Sequence, residues 1–383
     1  MSPRSIPEIA TAEFDRHPVR GASRPLRIAQ VAPLYEAVPP RRYGGTERVV
    51  SWLTEELVSR GHDVTLFASG DSVTRAKLVS VTSRAVRGGD REIDPILTHL
   101  LQLACVQDRA REFDVIHSHV DALGMLTLRR SPTPTLTTLH GRLDLSSLGR
   151  LLQHLNDMQV VSISDAQRRP APQAGWAGTV YHGLPLAEYE PGPGAGDFVV
   201  FLGRISPEKR PDAAIEIARR AGVHLVIAAK VDPVDQVYFE EVVEPMLAGP
   251  GVDFIGEVDD LEKVALLREA RALLFPILWP EPFGLAMIEA MACGTPVLTR
   301  RCGSTPEIVD DPRIGAVCDD DQGLVDALAD LDRFDRAACR AHVERRFSVE
   351  KMADGYEELY REHGKRGRPS SGRADPPAEL ATA

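Results

Sequence analysis

The chain has 383 residues, of which 43% are hydrophobic and 26% charged, and its formal net charge is −11. This length favours two domains, and the apolar content excludes wholesale disorder. The negative charge argues against nucleic-acid binding, and no apolar run reaches the roughly 18 residues of a membrane-spanning helix. Five scattered cysteines form no C-x-x-C pair, which disfavours a zinc site or a disulfide framework and predicts a cytoplasmic protein.

Regular alternation of strands and helices begins after residues 1–25, a segment without an apolar signal core that is expected to be flexible. Within 26–190, short apolar runs such as LRIAQVAP, HDVTLFAS, FDVIHSHV and MQVVSIS predict buried strands. The segment TERVVSWLTEELVSRG has helical spacing and ends at a glycine. This order predicts a doubly wound α/β domain with a parallel sheet.

A second α/β domain is predicted over 196–346. The stretch LAEYEPGPGAGD before it has the composition of a linker. Strand-like runs then return as FVVFLGR, HLVIAAK, VDFIGEV and RALLFPI, with helical segments between them. The polar, proline-rich tail at 364–383 is expected to be disordered. Two such domains place a cleft at the carboxyl ends of both sheets, where ligands bind.

In the first domain, a glycine pair and three histidines follow predicted strands. Gly45 precedes a predicted helix, where backbone N–H groups favour an anion, although a tight turn capped by Thr46 is the ordinary alternative. No G-x-G-x-x-G pattern follows the strand, which disfavours a dinucleotide-dependent dehydrogenase. His117, His119 and His140 end strands as structural or ligand-contacting groups, and no cysteine or carboxylate at ligand spacing suggests a metal site.

In the second domain, cations and carboxylates follow predicted strands. Arg204 and Lys209 in FLGRISPEKR suit a phosphate, although solvated surface charges are the ordinary alternative. In WPEPFGLAMIEAMACGTPVL, a helix is predicted to begin near Pro282, so that its first N–H groups face phosphate. Glu281 suits a helix N-terminus and Glu289 a solvated face, but together with the cations they indicate a nucleotide-sugar pocket.

At these residues the sequence resembles the retaining glycosyltransferases of glycosyltransferase family 4. The resemblance covers nearly all of 26–362, and it is strongest in FLGRISPEKR and in EPFGLAMIEAMACGTPVLTRRCGSTPEIV, which is similar to the Glu-x₇-Glu motif of that family. It implies the GT-B fold, in which two Rossmann-like doubly wound domains face each other across a deep cleft. It also implies that a C-terminal helix, at about 348–363, packs back on the first domain.

The resemblance implies a role for each matching residue. Arg204 and Lys209 would bind and neutralise the donor diphosphate without a metal ion, and Glu281 would hydrogen-bond the transferred sugar. Glu289 would accept from the ribose hydroxyls. The remaining positions would surround the donor: His140 beside the reacting sugar, Gly45 near the phosphates, and the backbone N–H groups of Phe283, Gly284 and Leu285. Arg210 departs from the family pattern, because many relatives have glycine there.

The implied activity is metal-independent transfer of a hexose-type sugar, with retention and front-face attack, from a UDP- or GDP-linked donor to an unidentified acceptor hydroxyl. No cofactor is expected beyond the donor substrate. A glycoside phosphorylase, a sugar-nucleotide epimerase and a non-catalytic nucleotide-sugar-binding protein remain alternatives. The presence of Arg204, Lys209, Glu281 and His140 weighs against the non-catalytic one. Basic residues between Arg75 and Arg91 could meet an anionic membrane, but a solvated face explains them better, and peripheral membrane contact is not indicated.

Overall fold

Two parallel β-sheets organise the residues that the computed structural model describes, which are 24–42, 44–88 and 94–366, with side chains to residue 363. The predicted α/β fold class is therefore confirmed. Nearly all of the predicted flexible segment at 1–25, and residues 367–383 of the predicted disordered tail, lie outside the described residues. Residues 364–366 of that tail instead form the end of the last helix. Tyr43, which directly precedes the glycine pair, and Arg91 of the basic stretch lie outside the described residues as well.

Within the described part of the chain, the first sheet has seven strands in the order β3-β2-β1-β4-β5-β6-β7. Every neighbouring pair is parallel. The strands are β1 (Arg27–Val31), β2 (Asp63–Phe67), β3 (Lys77–Val79), β4 (Val115–Ser118), β5 (Thr135–Thr138), β6 (Gln159–Ser162) and β7 (Trp176–Thr179).

The second sheet, over the same described ranges, has six strands in the order β10-β9-β8-β11-β12-β13, again all parallel. They are β8 (Phe198–Ile205), β9 (His224–Val231), β10 (Val252–Gly256), β11 (Leu273–Phe275), β12 (Val297–Arg300) and β13 (Gly315–Cys318). In both sheets the strand order reverses beside the first strand, at β1/β4 and at β8/β11, and ligands bind at such points.

Helices connect the strands. Those of the first half are α1 (Gly45–Ser59), α2 (Pro95–Asp108), α3 (Asp121–Leu128), α4 (Ser146–His154) and α5 (Asp165–Arg168). Those of the second half are α6 (Pro211–Ala221), α7 (Gln236–Tyr238), α8 (Glu244–Leu247), α9 (Asp260–Glu269), α10 (Leu285–Ala292), α11 (Thr305–Ile308), α12 (Asp321–Leu328), α13 (Arg336–Arg346) and α14 (Val349–Arg366).

The segments at the centre of each sheet form buried strands because their side chains are apolar on both faces. Ile28, Val31, Val200 and Phe201 are fully buried, as expected for strands covered by helices on both sides. The helices bury one face each, and α6 carries its alanines and isoleucines inward and its charges outward. A single apolar cluster includes residues of both sheets, so the two halves pack against each other.

The last helix returns to the first sheet. Tyr356 and Tyr360 of α14 are buried, and the Tyr360 hydroxyl accepts a hydrogen bond from Nε2 of Gln30 on β1, with 3.1 Å between N and O. The outgoing and returning connections between the halves are hydrogen-bonded to each other. The N–H of Leu184 donates to Phe347 O and the N–H of Val349 donates to Leu184 O, each at 2.8 Å.

Candidate active site

A cleft of about 680 Å³ between the two sheets brings the predicted site residues together. It lies beyond β1, β4 and β5 on one side and beyond β8 and β11 on the other, at the reversal points of both sheets. Every predicted site residue lines it: Gly45, His140, Arg204, Lys209, Glu281, Phe283, Gly284, Leu285 and Glu289.

Lys209 and Glu281 form an ion pair inside this cleft. Nζ of Lys209 donates to Oε2 of Glu281, and Nε1–H of Trp279 donates to the same oxygen at 2.8 Å. The ammonium also lies 4.7 Å from the Trp279 ring centroid, a cation–π contact. Oε1 of Glu281 accepts no hydrogen bond from a described residue, so it is the oxygen that a ligand hydroxyl can reach.

The backbone around Glu281 is held by a tight approach of Gly303. The N–H of Ser304 donates to the carbonyl oxygen of Glu281 at 3.0 Å. Gly303 has a φ of 58°, and a Cβ there would lie 2.4 Å from both the nitrogen and the oxygen of Glu281. Glycine is therefore required for this loop to support the carboxylate.

Arg204 reaches the cleft from the end of β8, within a group of carboxylates. Its guanidinium donates to Glu208 at 2.9 Å and lies 3.5 Å from a carboxylate oxygen of Asp232 and 3.6 Å from one of Asp235. These acids fix the direction of the side chain. A bound phosphate would share or replace them, since arginine can bind several anionic oxygens at once.

The helix after Glu281 begins later than predicted. Pro282 was expected at its first position, but α10 starts at Leu285 with Gly284 as the N-cap at a φ of 84°. Pro282 lies in the preceding loop, where its carbonyl accepts from the Ser164 hydroxyl at 2.6 Å. The helix that follows the first strand differs similarly, because Gly44, rather than Thr46, is its N-cap.

Glu289 lies one turn into α10 and is buried, which excludes the solvated face considered for it. Nζ of Lys263 donates to its Oε1 at 2.6 Å, and the Tyr189 hydroxyl donates to the same atom at 3.0 Å. Lys263 also pairs with Asp260 at 3.1 Å, and Asp260 accepts from Arg48 of α1. Glu289 thus belongs to a polar chain that crosses from one half of the molecule to the other.

His140 faces the cleft from the end of β5. Its Nε2 lies 2.9 Å from Nδ1 of His119, and its ring stacks on His182 with centroids 5.3 Å apart. Its Nδ1 is buried and finds no hydrogen-bond partner in the part of the chain that the structure describes. Burial lowers the pKa of His140 to about 3, so the ring is neutral at physiological pH.

Two carboxyl groups of the first half also line the cleft, and sequence reasoning singled out neither. Burial raises the pKa of Glu47 to about 7 and that of Asp121 to about 6. Asp121 has a φ of 37°, rare for a residue other than glycine, and its Oδ1 lies 3.4 Å from the backbone nitrogen of His140. The first half therefore contributes two carboxyl groups with raised pKa values to the cleft.

Arg210 does not join the site. Its φ of 56° lies in the left-handed region, which explains why glycine suits this position. Its guanidinium turns to Asp321 at 3.0 Å, whereas the neighbouring Lys209 turns into the cleft. The departure from the family pattern leaves the predicted phosphate-binding cation in place.

Sequence reasoning missed Lys263, Tyr189, Asp260 and Arg48, the partners around Glu289. Lys263 sits on a helix that begins with a capping box and looks like any charged surface position. Its burial arises only because α9 packs beside α10, which the local pattern does not encode. Over the described residues, no helix is long and apolar enough to cross a membrane, and no group of three or more His, Cys, Asp or Glu side chains could hold a metal ion.

The chain matches known families in both halves. Residues 43–184 match the profile described as Glycosyltransferase Family 4, and residues 190–333 match that described as Glycosyl transferases group 1. A phosphatidyl-myo-inositol mannosyltransferase of Mycobacterium leprae is 27% identical over 348 residues, which cover 81% of this chain and 88% of that protein. A D-inositol 3-phosphate glycosyltransferase of Mycolicibacterium paratuberculosis is 29% identical over 230 residues, covering 55% of this chain and 51% of that one.

Solved structures share the fold. AviGT4, a glycosyltransferase involved in avilamycin A biosynthesis, superposes with a TM-score of 0.68 and 24% identity, covering 89% of this chain and 98% of AviGT4. HepE of Anabaena, solved with UDP and glucose, superposes with a TM-score of 0.70 and 18% identity, covering 88% of this chain and 100% of HepE. The fold and its cleft thus define a GT-B enzyme, and the predicted glycosyltransferase activity is confirmed. The chain belongs to the family 4 type of glycosyltransferases.

Proposed function

We propose that the protein transfers a hexose-type sugar from a UDP- or GDP-linked donor, with retention of configuration and without a metal ion. One arrangement carries the proposal: Lys209, Arg204 and the N-terminus of α10 line the same cleft as Glu281 and Glu289. Cations and helix N–H groups suit a diphosphate, while carboxylates suit the hydroxyls of a sugar and a ribose. The site residues keep the roles that the family resemblance implies.

The mechanism we infer is front-face attack. The donor C1–O bond breaks, and negative charge builds on the departing diphosphate, where Arg204, Lys209 and the start of α10 stabilise it. The acceptor oxygen forms the new bond to C1 on the same face, and its proton passes to the leaving phosphate oxygen. His140 is neutral, so it orients a hydroxyl or stabilises the cationic centre rather than acting as an acid.

A donor panel tests the proposal. The protein is incubated with UDP- and GDP-linked hexoses in the presence of EDTA, with and without inorganic phosphate, and nucleotide release and sugar products are followed by NMR. We expect release of one nucleoside diphosphate and a product whose anomeric configuration matches that of the donor. Phosphate-dependent formation of a sugar phosphate would identify a phosphorylase, and epimerised donor would identify an epimerase. Loss of activity in EDTA would refute metal independence.

The acceptor side offers an apolar rim beside the cleft. Ile96 lines the cleft, and Leu97 and Leu101 on the same helix are more than half exposed. The names of the two relatives point to inositol-containing acceptors. The acceptor arms of the panel are therefore free inositol, inositol phosphates and vesicles containing phosphatidylinositol, each scored against transfer to water. Turnover with vesicles alone would support a lipid-linked acceptor.

A further inference from the structure

A chain of buried polar side chains runs from His140 to the last helix. His119 contacts His140 through Nδ1 and Oε1 of Gln30 through Nε2, both at 2.9 Å. The other end of the Gln30 amide, Nε2, donates to the Tyr360 hydroxyl at 3.1 Å. Gln30 and His119 are almost completely buried, so neither can exchange these partners for bulk water.

The chain continues beyond Tyr360 without a gap. The Tyr360 hydroxyl lies 2.7 Å from Nδ1 of His117, whose Nε2 lies 2.7 Å from the Thr138 hydroxyl. That hydroxyl lies 3.0 Å from the hydroxyl of Tyr356. The histidine facing the cleft is therefore connected to two tyrosines of α14 through hydrogen bonds alone.

The orientation of the Gln30 amide fixes the tautomers. Its carbonyl oxygen faces His119, so Nε2 of His119 carries the hydrogen and Nδ1 keeps a lone pair. That lone pair can only accept, so Nε2 of His140 donates to it. The remaining ring nitrogen of His140, Nδ1, is then a buried hydrogen-bond acceptor without a partner in the described residues, on a ring that lines the cleft.

Burial keeps both rings in a defined protonation state. The pKa of His119 lies well below its usual range and that of His140 is about 3, because burial disfavours the imidazolium form. The polarity of the chain, rather than pH, then decides which nitrogen of His140 carries its hydrogen. If Nδ1 of His140 carried the hydrogen it would donate to an acceptor on the ligand, whereas without the hydrogen it accepts from a donor such as a hydroxyl.

We propose that Gln30 and Tyr360 are positioning residues, which hold His140 as the Nε2–H tautomer so that its Nδ1 accepts a hydrogen bond from a hydroxyl of the sugar substrate. The identity of the ligand as a sugar rests on the proposed function. The tautomer does not, because it is a property of the ligand-free protein. His140 contacts the substrate, whereas Gln30 and Tyr360 act through it.

The first test is ¹⁵N NMR of histidine-labelled protein without ligand. We expect His119 and His140 to show protonated Nε2 and unprotonated Nδ1, and Gln30→Met to give mixed tautomers at both rings. Gln102→Met is the matched control, because Gln102 is equally buried but donates to the carbonyls of Ala32 and Phe67. A hydrogen on Nδ1 of His140 in the parent, or unchanged tautomers in Gln30→Met, would overturn the proposal.

The second test measures sugar transfer to water from the donor that the panel identifies. We expect Gln30→Met to lower kcat about tenfold, the size of one hydrogen bond, with unchanged affinity for the free nucleoside diphosphate. Gln102→Met should keep the parental kcat. If Gln30→Met does not fold, Tyr360→Phe removes the hydroxyl but keeps the ring in the core, and mixed tautomers are expected there as well.

The two tests fail separately. A parental kcat in Gln30→Met or Tyr360→Phe, at unchanged fold, would remove the positioning role even if the tautomers are as expected. Absence of transfer from every donor, with the expected tautomers present, would instead refute the proposed function.

Discussion

Replacing Lys209 with methionine removes one cation from the cleft while keeping a side chain of similar length. Nζ of Lys209 is held between Glu281 and the rings of Trp279 and Phe275, so it is already in place when a diphosphate arrives. A hydrogen bond to a charged group contributes about 1.5–3 kcal/mol. We therefore expect Lys209→Met to weaken binding of the nucleoside diphosphate about 10- to 150-fold.

The neighbouring cation provides the control. Arg210 pairs with Asp321 outside the cleft, so Arg210→Met changes the net charge equally but should leave nucleotide affinity within about twofold. Isothermal titration with UDP, GDP and the corresponding nucleosides separates the phosphate contribution, because Lys209→Met should not weaken a nucleoside. Equal losses for nucleoside and diphosphate, or equal losses in both variants, would refute the assignment of Lys209 to phosphate.

Three further changes test other parts of the cleft. Glu289→Ala should weaken both nucleoside and nucleoside diphosphate by about tenfold or more, because it removes the ribose acceptor; equal affinity for the parent and the variant in titration would contradict this role. Gly303→Ala should lose most transfer activity, because the added Cβ would displace Glu281. Gly222 is also at positive φ but has open space around it, so Gly222→Ala should lower the free energy of unfolding in urea by only about 1–2 kcal/mol. Asp121→Asn should become more stable than the parent as pH rises from 4 to 7, by only about 1 kcal/mol in the free energy of unfolding because solvent screens this exposed side chain; urea unfolding measures the difference.

The sign of the Asp121 prediction follows from its raised pKa. The folded state favours the protonated form of Asp121. Its contribution to the free energy of unfolding is therefore fully present below the ordinary pKa of 3.8 and is lost as pH rises through about 6. An asparagine side chain does not ionise, so Asp121→Asn keeps this contribution to stability at pH 7. Parallel pH profiles for Asp121→Asn and the parent would show that this carboxyl group does not titrate within the folded protein.

The strands and helices, and the cleft residues of the second half, were predictable because their signals are local. Arg204, Lys209 and Glu281 follow apolar strands, and parallel sheets present such positions at one edge. One glycine pair and Pro282 marked two helix starts, but they did not fix the first residue, since Gly284 in the left-handed region displaced the start of α10 beyond Pro282.

The remaining parts of the site depend on contacts distant in sequence. Lys263 and Tyr189 meet at Glu289 from an adjacent helix and from the connection between the halves, separated from it by 26 and 100 positions. Asp121 was inconspicuous because nothing in its neighbours announces a φ of 37°. Local periodicity reports which face of a helix is buried, but not which polar group lies opposite it.

The return of α14 to the first sheet has a consequence for synthesis on the ribosome. The strands that hold Gln30 and His117 emerge early, but Tyr356 and Tyr360, which cover their polar side chains, are among the last described residues of the chain. Until α14 has been synthesised, the histidine, glutamine and threonine side chains that these tyrosines contact are exposed to water in the nascent first half. The first half is therefore synthesised first but completes its packing last. A chain that ends before α14 would leave the polar side chains of its first sheet uncovered.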